Sequence, residues 1–153
     1  MDITELLTVE RVACHPQVSS KKRLLEQVST LIADTNPSLG PGEVFESLIA
    51  RERLGSTGLG RGVAIPHGRV KNSDRTIGAF VKLAQGVDYD AVDGEPVDLL
   101  FGLLVPEEST EEHLKLLALL ARMFSDTTLV ASLRSAPDQE TIHKLLTGWQ
   151  SGG

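Results

Sequence analysis

The densest chemistry in the chain lies in one run: Gly55-Ser56-Thr57-Gly58-Leu59-Gly60-Arg61-Gly62-Val63-Ala64-Ile65-Pro66-His67-Gly68. Closely spaced glycines let a backbone turn sharply and come near a ligand. Backbone N–H groups exposed in such a loop can form an anion-binding nest. The candidate phosphate-binding segment is therefore Ser56, Thr57, Gly60, Arg61 and Gly62. Arg61, Arg69, Lys71 and Arg75 bring positive charge near His67, opposed locally by Asp74. Pro66 fixes the approach to His67, and Gly68 leaves space beside the ring. A histidine presented in this way is a candidate nucleophile toward phosphorus. The plainer reading of the same residues is a glycine-rich turn with an exposed histidine, since short motifs have many false matches.

Two nucleotide signatures fail on inspection. Gly55 to Gly62 has the outline of a P-loop, but Arg61 stands where Lys belongs and Gly62 where a magnesium-binding hydroxyl belongs. The alternating glycines also open no helix, as a dinucleotide fingerprint must. His113 is the second candidate. It sits in the first turn of a predicted helix, where the positive end of the dipole disfavours an imidazolium and the free N–H groups favour an anion. The plain alternative is a histidine packed at a helix end. His15, before Pro16, and His143 read as surface residues. No His/Cys/Asp cluster has metal-ligand spacing, so no metal and no cofactor are expected. No G-x-S-x-G supports a serine hydrolase.

The elements that must hold these residues follow from periodicity. Leu24, Leu25, Val28, Leu31 and Ile32 share one face of a helix over 21–34, capped by Ser20 and ended by Asn36-Pro37. A second helix is expected over about 43–54, with Val44, Phe45, Leu48 and Ile49 inward and Gly55 as its stop. Val63-Ala64-Ile65 reads as a brief strand. Strands are expected over 76–83 and 97–105, the latter apolar on both faces and so central. Asp93-Gly94 signals a tight hairpin between them. Three helices close the chain, over about 110–124 with Ser109 and Glu112 as a capping box, 127–133, and 137–146 with Ser135 as cap. This order predicts a mixed sheet with helices on both faces.

The chain has 153 residues, 41% hydrophobic and 24% charged, which suits one domain over 1–150 with a loose tail, Ser151-Gly152-Gly153. Aromatics make up 4%, so the core must be chiefly Leu, Val, Ile and Ala. The formal charge of −6 argues against a nucleic-acid or membrane-surface binder. No apolar run is long enough to insert in a bilayer, and the acidic start lacks the regions of a signal peptide. Cys14 is the single cysteine, so a reduced, cytoplasmic setting is expected.

Taken together, these segments carry a resemblance. The run Gly55 to Gly68, with its core Ala64-Ile65-Pro66-His67-Gly68, resembles the active-site signature of IIA domains of the fructose/mannitol class of the bacterial phosphoenolpyruvate-dependent phosphotransferase system. Phe45 to Glu52, Tyr89 to Gly94, Pro96 to Phe101, Leu103 to Pro106 and His113-Leu114 fit the same pattern. The likeness covers nearly the whole chain and is nearest to the stand-alone nitrogen-regulatory members. It implies a three-layer α/β/α fold around a mixed sheet. It implies that His67 takes a phosphoryl group on Nε2 from an HPr-like phosphocarrier, and that His113 hydrogen-bonds the phosphoryl oxygens. It further implies regulatory partners, such as transporters or sensor kinases, that respond to the phosphorylation state. Arg61 departs from the Asn many relatives carry, though a guanidinium can also contact phosphate. Two other readings stay open: a sugar-transport component passing phosphate to a IIB partner, and a binding module never phosphorylated.

Overall fold

Alternating apolar residues on two long strands build the centre of the molecule. The computed structural model describes residues 2–71, 73–108 and 110–150. Strand β6 (Val97–Pro106) sends Leu99, Phe101 and Leu103 to one face and Leu100 and Leu104 to the other, all buried. Strand β5 (Ile77–Val87) pairs antiparallel with it, and its Phe80 and Val81 likewise go to opposite faces. A strand apolar on both faces must be covered twice.

The two covers come from different parts of the sequence. Helices α2 (Lys21–Asp34) and α3 (Pro41–Glu52) pack on one face through Leu24, Leu25, Val28, Ile32, Val44 and Leu48. On the other lie α1 (Ile3–Leu6), α4 (Thr110–Met123), α5 (Thr127–Ser135) and α6 (Gln139–Gly148), with Leu120, Met123, Leu133, Ile142 and Leu146 inward. The result is the expected three-layer α/β/α arrangement.

The sheet is mixed. Strand β1 (Val12–Cys14) runs parallel to β5 along one edge. Beyond β6 lie β3 (Val63–Ala64) and β4 (His67–Val70), both parallel to it, and then β2 (Gly58–Gly60), antiparallel to β3. β3 and β4 are two pieces of one line along β6, broken at Ile65-Pro66 because proline has no N–H for the ladder. The Pro66 carbonyl still accepts from the Leu103 N–H at 2.9 Å.

Several local expectations are corrected. The second helix begins at Pro41, which takes the first helical position where a missing N–H costs nothing. Asp93-Gly94 is a turn, with Gly94 at φ +73°, but it lies within a connection over 88–96 and not in a tight hairpin. The last helix is capped by Asp138, whose side chain accepts from the Thr141 N–H, while Ser135 is the final residue of α5. His143 is half-buried, and its Nε2 meets the Leu7 carbonyl at 2.8 Å, tying α6 to the end of α1. The short elements before residue 15 and the strand that begins at His67 have too few residues to show a period. The Ser109 capping box and the tail from Ser151 lie outside the described residues. Among those described, no single helix is long and apolar enough to cross a membrane.

Candidate active site

His67 opens β4, and its orientation follows from the alternation of a strand. Gly68 and Val70 face α3, so His67 and Arg69 project to the opposite side, toward α4. Gly68 has a steric reason. A Cβ there would run into the Ser47 side chain and stand 2.9 Å from the Ser47 backbone carbon, while Ser47 Oγ donates to the Arg69 carbonyl at 2.9 Å. Gly68 therefore makes room for helix α3 on the face opposite the imidazole, and not for space beside the ring as expected.

The His67 ring is oriented by one hydrogen bond. Nδ1 lies 3.0 Å from the Ile65 carbonyl oxygen. A carbonyl only accepts, so Nδ1 carries the proton and Nε2 of the neutral ring keeps its lone pair. Burial pushes the proton affinity of His67 below the usual imidazole value. The Ile65 carbonyl and the Glu52 carboxylate work against that shift, and Arg51 and Arg69 add to it. The net effect holds the ring neutral at neutral pH, as a nucleophile requires.

His113, in the first turn of α4, stands beside it. The ring centroids are 5.0 Å apart with an interplanar angle of 70°. His113 is buried, and its Nδ1 is the one buried side-chain polar atom without a hydrogen-bond partner among the described residues. Its pKa is lowered to about 4, first by burial and then by His67 and Arg69. Burial, and not the helix dipole to which the sequence points, leads the causes of this shift.

The rest of the glycine segment faces other partners. Ile65 N–H donates to the Thr57 carbonyl at 3.1 Å, so Thr57 lies under the approach to His67. Its side chain is buried and committed: Oγ1 donates to Glu52 Oε2 at 2.6 Å and lies 3.2 Å from the Tyr89 hydroxyl. Ser56 Oγ accepts from the Gly58 N–H at 3.1 Å. Gly60, Arg61 and Gly62 form the turn between β2 and β3, all at positive φ. The Arg61 N–H donates to Asp93 Oδ2 at 2.9 Å, and the Arg61 carbonyl accepts from Arg134 at 2.6 Å. Gly62 is hemmed in by Arg134 and Asp98, which pair with each other at 2.9 Å. Val63 registers with Leu99 and His67 with Leu103, which separates this turn from His67 by roughly 13 Å of strand. Lys71 is exposed beyond β4, and Arg75 reaches Asn36 Oδ1 at 3.3 Å. Of the four cations grouped by sequence, only Arg69 acts on both imidazoles.

Two further residues near His67, Arg51 and Glu52, have no role assigned by the sequence motifs. Arg51, in the last turn of α3, donates to the Gly55 carbonyl at 2.8 Å and directs its charge at His67. Glu52, next to it, is buried. Both fall in the Phe45 to Glu52 segment that carries the resemblance and just before the glycines, but neither signal assigns them a role distinct from ordinary helix-end residues. Among the described residues, no group of His, Cys, Asp and Glu could hold a metal ion.

Comparison with known proteins agrees with this frame. Residues 5–148 match the family model described as phosphoenolpyruvate-dependent sugar phosphotransferase system, EIIA 2. The chain belongs to this family. A nitrogen regulatory protein of Pseudomonas aeruginosa is 45% identical over 150 residues, which is 98% of this chain and 97% of the relative. One from Escherichia coli is 41% identical over 148 residues, 96% of this chain and 90% of the relative. The crystal structure of the nitrogen regulatory protein IIA-Ntr from Neisseria meningitidis superposes with a TM-score of 0.89 at 44% identity, covering 95% of this chain and 99% of that one. IIA mannitol from Escherichia coli shares the fold, with a TM-score of 0.74 at 22% identity over 92% of this chain and 98% of that one. This EIIA chain is thus a phosphotransferase-system component of the nitrogen-regulatory type.

Proposed function

We propose that this EIIA protein is a regulatory phosphocarrier that accepts a phosphoryl group on Nε2 of His67 from the phosphohistidine of an HPr-like carrier. The observation that carries the reading is the hydrogen bond from Nδ1 to the Ile65 carbonyl, which leaves Nε2 as the basic nitrogen beside His113. In the transfer, the Nε2 lone pair forms the new N–P bond as the donor's N–P bond breaks, and that electron pair returns to the donor nitrogen. The Nδ1 proton stays, so the modified ring carries positive charge opposite the Ile65 carbonyl.

The transferring group needs charge compensation and alignment more than proton chemistry. Arg51 and Arg69 supply a positive field at His67. His113 is neutral and has an unpartnered buried Nδ1, to which phosphoryl oxygens would offer an acceptor. On this reading Ser56, Thr57, Gly60, Arg61 and Gly62 build the frame of the site and do not contact phosphate. Phosphorylation adds nearly two negative charges at one surface point, which a docking partner would sense directly. The same histidine would also serve a sugar-transport component. Identity favours regulation, at 45% to a nitrogen regulatory protein against 30% to a fructose-specific EIIA component of Haloferax volcanii.

The test is incubation with a phosphorylated HPr-like carrier, followed by mass and by the acid lability of the adduct. The expected result is an acid-labile gain in mass in the wild type and none in His67→Ala. An adduct that persists in that variant, or no adduct from several competent donors, overturns the reading.

A further inference from the structure

A buried polar chain runs from α2 to His67, and the phosphocarrier mechanism does not use its first members. Glu52 lies at the end of α3 with its carboxylate buried. It accepts from the Thr57 N–H at 3.1 and 3.2 Å and from Thr57 Oγ1 at 2.6 Å. Lys21 pairs with it at 3.2 Å and sits 4.4 Å from the centre of the Tyr89 ring. Tyr89 is fully buried and its hydroxyl meets Thr57 Oγ1. One carboxylate thus locks Thr57 through both backbone and hydroxyl. Thr57 in turn receives the Ile65 N–H, and Ile65 receives His67 Nδ1–H.

A buried carboxylate is expensive unless paired and fully hydrogen-bonded. A hydrophobic residue would fill this place between helix and sheet at lower cost, so shape alone does not call for Glu52. The geometry points to Glu52 as the positioning residue of His67: by clamping Thr57 it places the Ile65 carbonyl under Nδ1 and so keeps Nε2 the free nitrogen. The inference rests on the phosphocarrier reading for its purpose, though not for its structural content. Glu52 has a second effect of the same sign. Its charge favours a positive His67 ring, the state the ring enters when Nε2 bonds phosphorus.

The test compares wild type with Glu52→Ala, Glu52→Gln and Thr57→Val by 15N NMR of the His67 imidazole and by the rate of phosphoryl transfer from a phosphorylated HPr-like carrier. Thr57→Val keeps the side-chain shape and the N–H bond, so it is the variant to use if Glu52→Ala fails to fold. In Glu52→Ala, the Nδ1–H tautomer is expected to lose its dominance and transfer to slow by about 100-fold, the cost of a slight misplacement of a reacting group. Glu52→Gln, which keeps an acceptor for the Thr57 N–H, restores the tautomer but moves the His67 titration to lower pH, a split that a merely structural role would not give. Thr57→Val gives a smaller change in the same direction as Glu52→Ala. An unchanged tautomer and an unchanged rate in folded Glu52→Ala or Thr57→Val overturns the inference. A wild type that takes no phosphoryl group overturns the phosphocarrier reading, and the tautomer measurement then decides the role of Glu52 by itself.

Discussion

The two ends of the glycine-rich run are built on opposite terms. At the Ser56 to Gly62 end, several polar groups are partnered inside the protein: Thr57 with Glu52 and Tyr89, the Arg61 N–H with Asp93, the Arg61 carbonyl with Arg134. At the Pro66 to Arg69 end, Nδ1 of His67 is tied to the Ile65 carbonyl, and the neighbouring His113 holds a buried nitrogen without a partner among the described residues. Folded proteins satisfy buried polar groups almost everywhere, so an unsatisfied one beside His67 marks where something else is meant to bind. The glycines at the first end make a tight turn; the single glycine at the second lets a helix come close. Residues of one type can therefore serve a frame in one place and a reactive group in another.

That contrast makes predictions of decreasing size. Removing His113 should hurt most after His67 itself. His113→Ala is expected to slow phosphoryl transfer by about 100-fold while leaving some, the usual cost of losing one preorganised donor. Normal kinetics in single-turnover assays would remove His113 from the site. Gly68→Ala should act on stability first, because the added methyl meets the Ser47 backbone; a loss of roughly 1–3 kcal/mol in urea unfolding is expected.

The pH profile is gentler. Transfer should be level around neutral pH and fall only below the usual imidazole range, since His67 must lose its proton to attack and burial lowers its affinity for one. Stability has its own window. The His113 pKa is about 4 in the fold against 6.5 for the free group. The folded state therefore binds that proton less readily than the unfolded chain. The stability tied to neutral His113 is complete above 6.5 and is lost as pH falls from there toward 4, which unfolding curves with and without His113→Ala would isolate. The smallest effect belongs to the far end. Arg61→Ala should leave the transfer rate within about twofold of wild type, as surface changes away from a site do. A large loss there would bring Arg61 back to the phosphate and erase the contrast between the two ends.

The legible parts of the sequence were those with enough residues to show a period or a cap. Helix α2 appears with its bounds and its Ser20 cap as expected, because its apolar stripe spans more than two turns and Ser20 precedes the helix. Strand β6 declared its central place by being apolar on both faces. His67 and His113 were picked out by their neighbours and by family resemblance, and they do meet in space. Of the cations grouped around His67 in the sequence, Arg69 acts on both imidazoles and the others do not, since an extended strand carries residues apart at about 3.3 Å each. Glu52 was invisible because a glutamate at a helix end looks solvated until Lys21 and Tyr89 close over it.

Periodicity, capping residues and the run ending in Pro66-His67-Gly68 laid out the layers and singled out His67 as a candidate, because these are local properties that a chain carries in its order of residues. Pairing was left to the tertiary structure: which nitrogen of His67 meets the Ile65 carbonyl, which ring stands beside it, and which carboxylate lies beneath. Those depend on Ile65, His113 and Glu52 arriving from three different elements, and no spacing along one chain encodes a distance across a core.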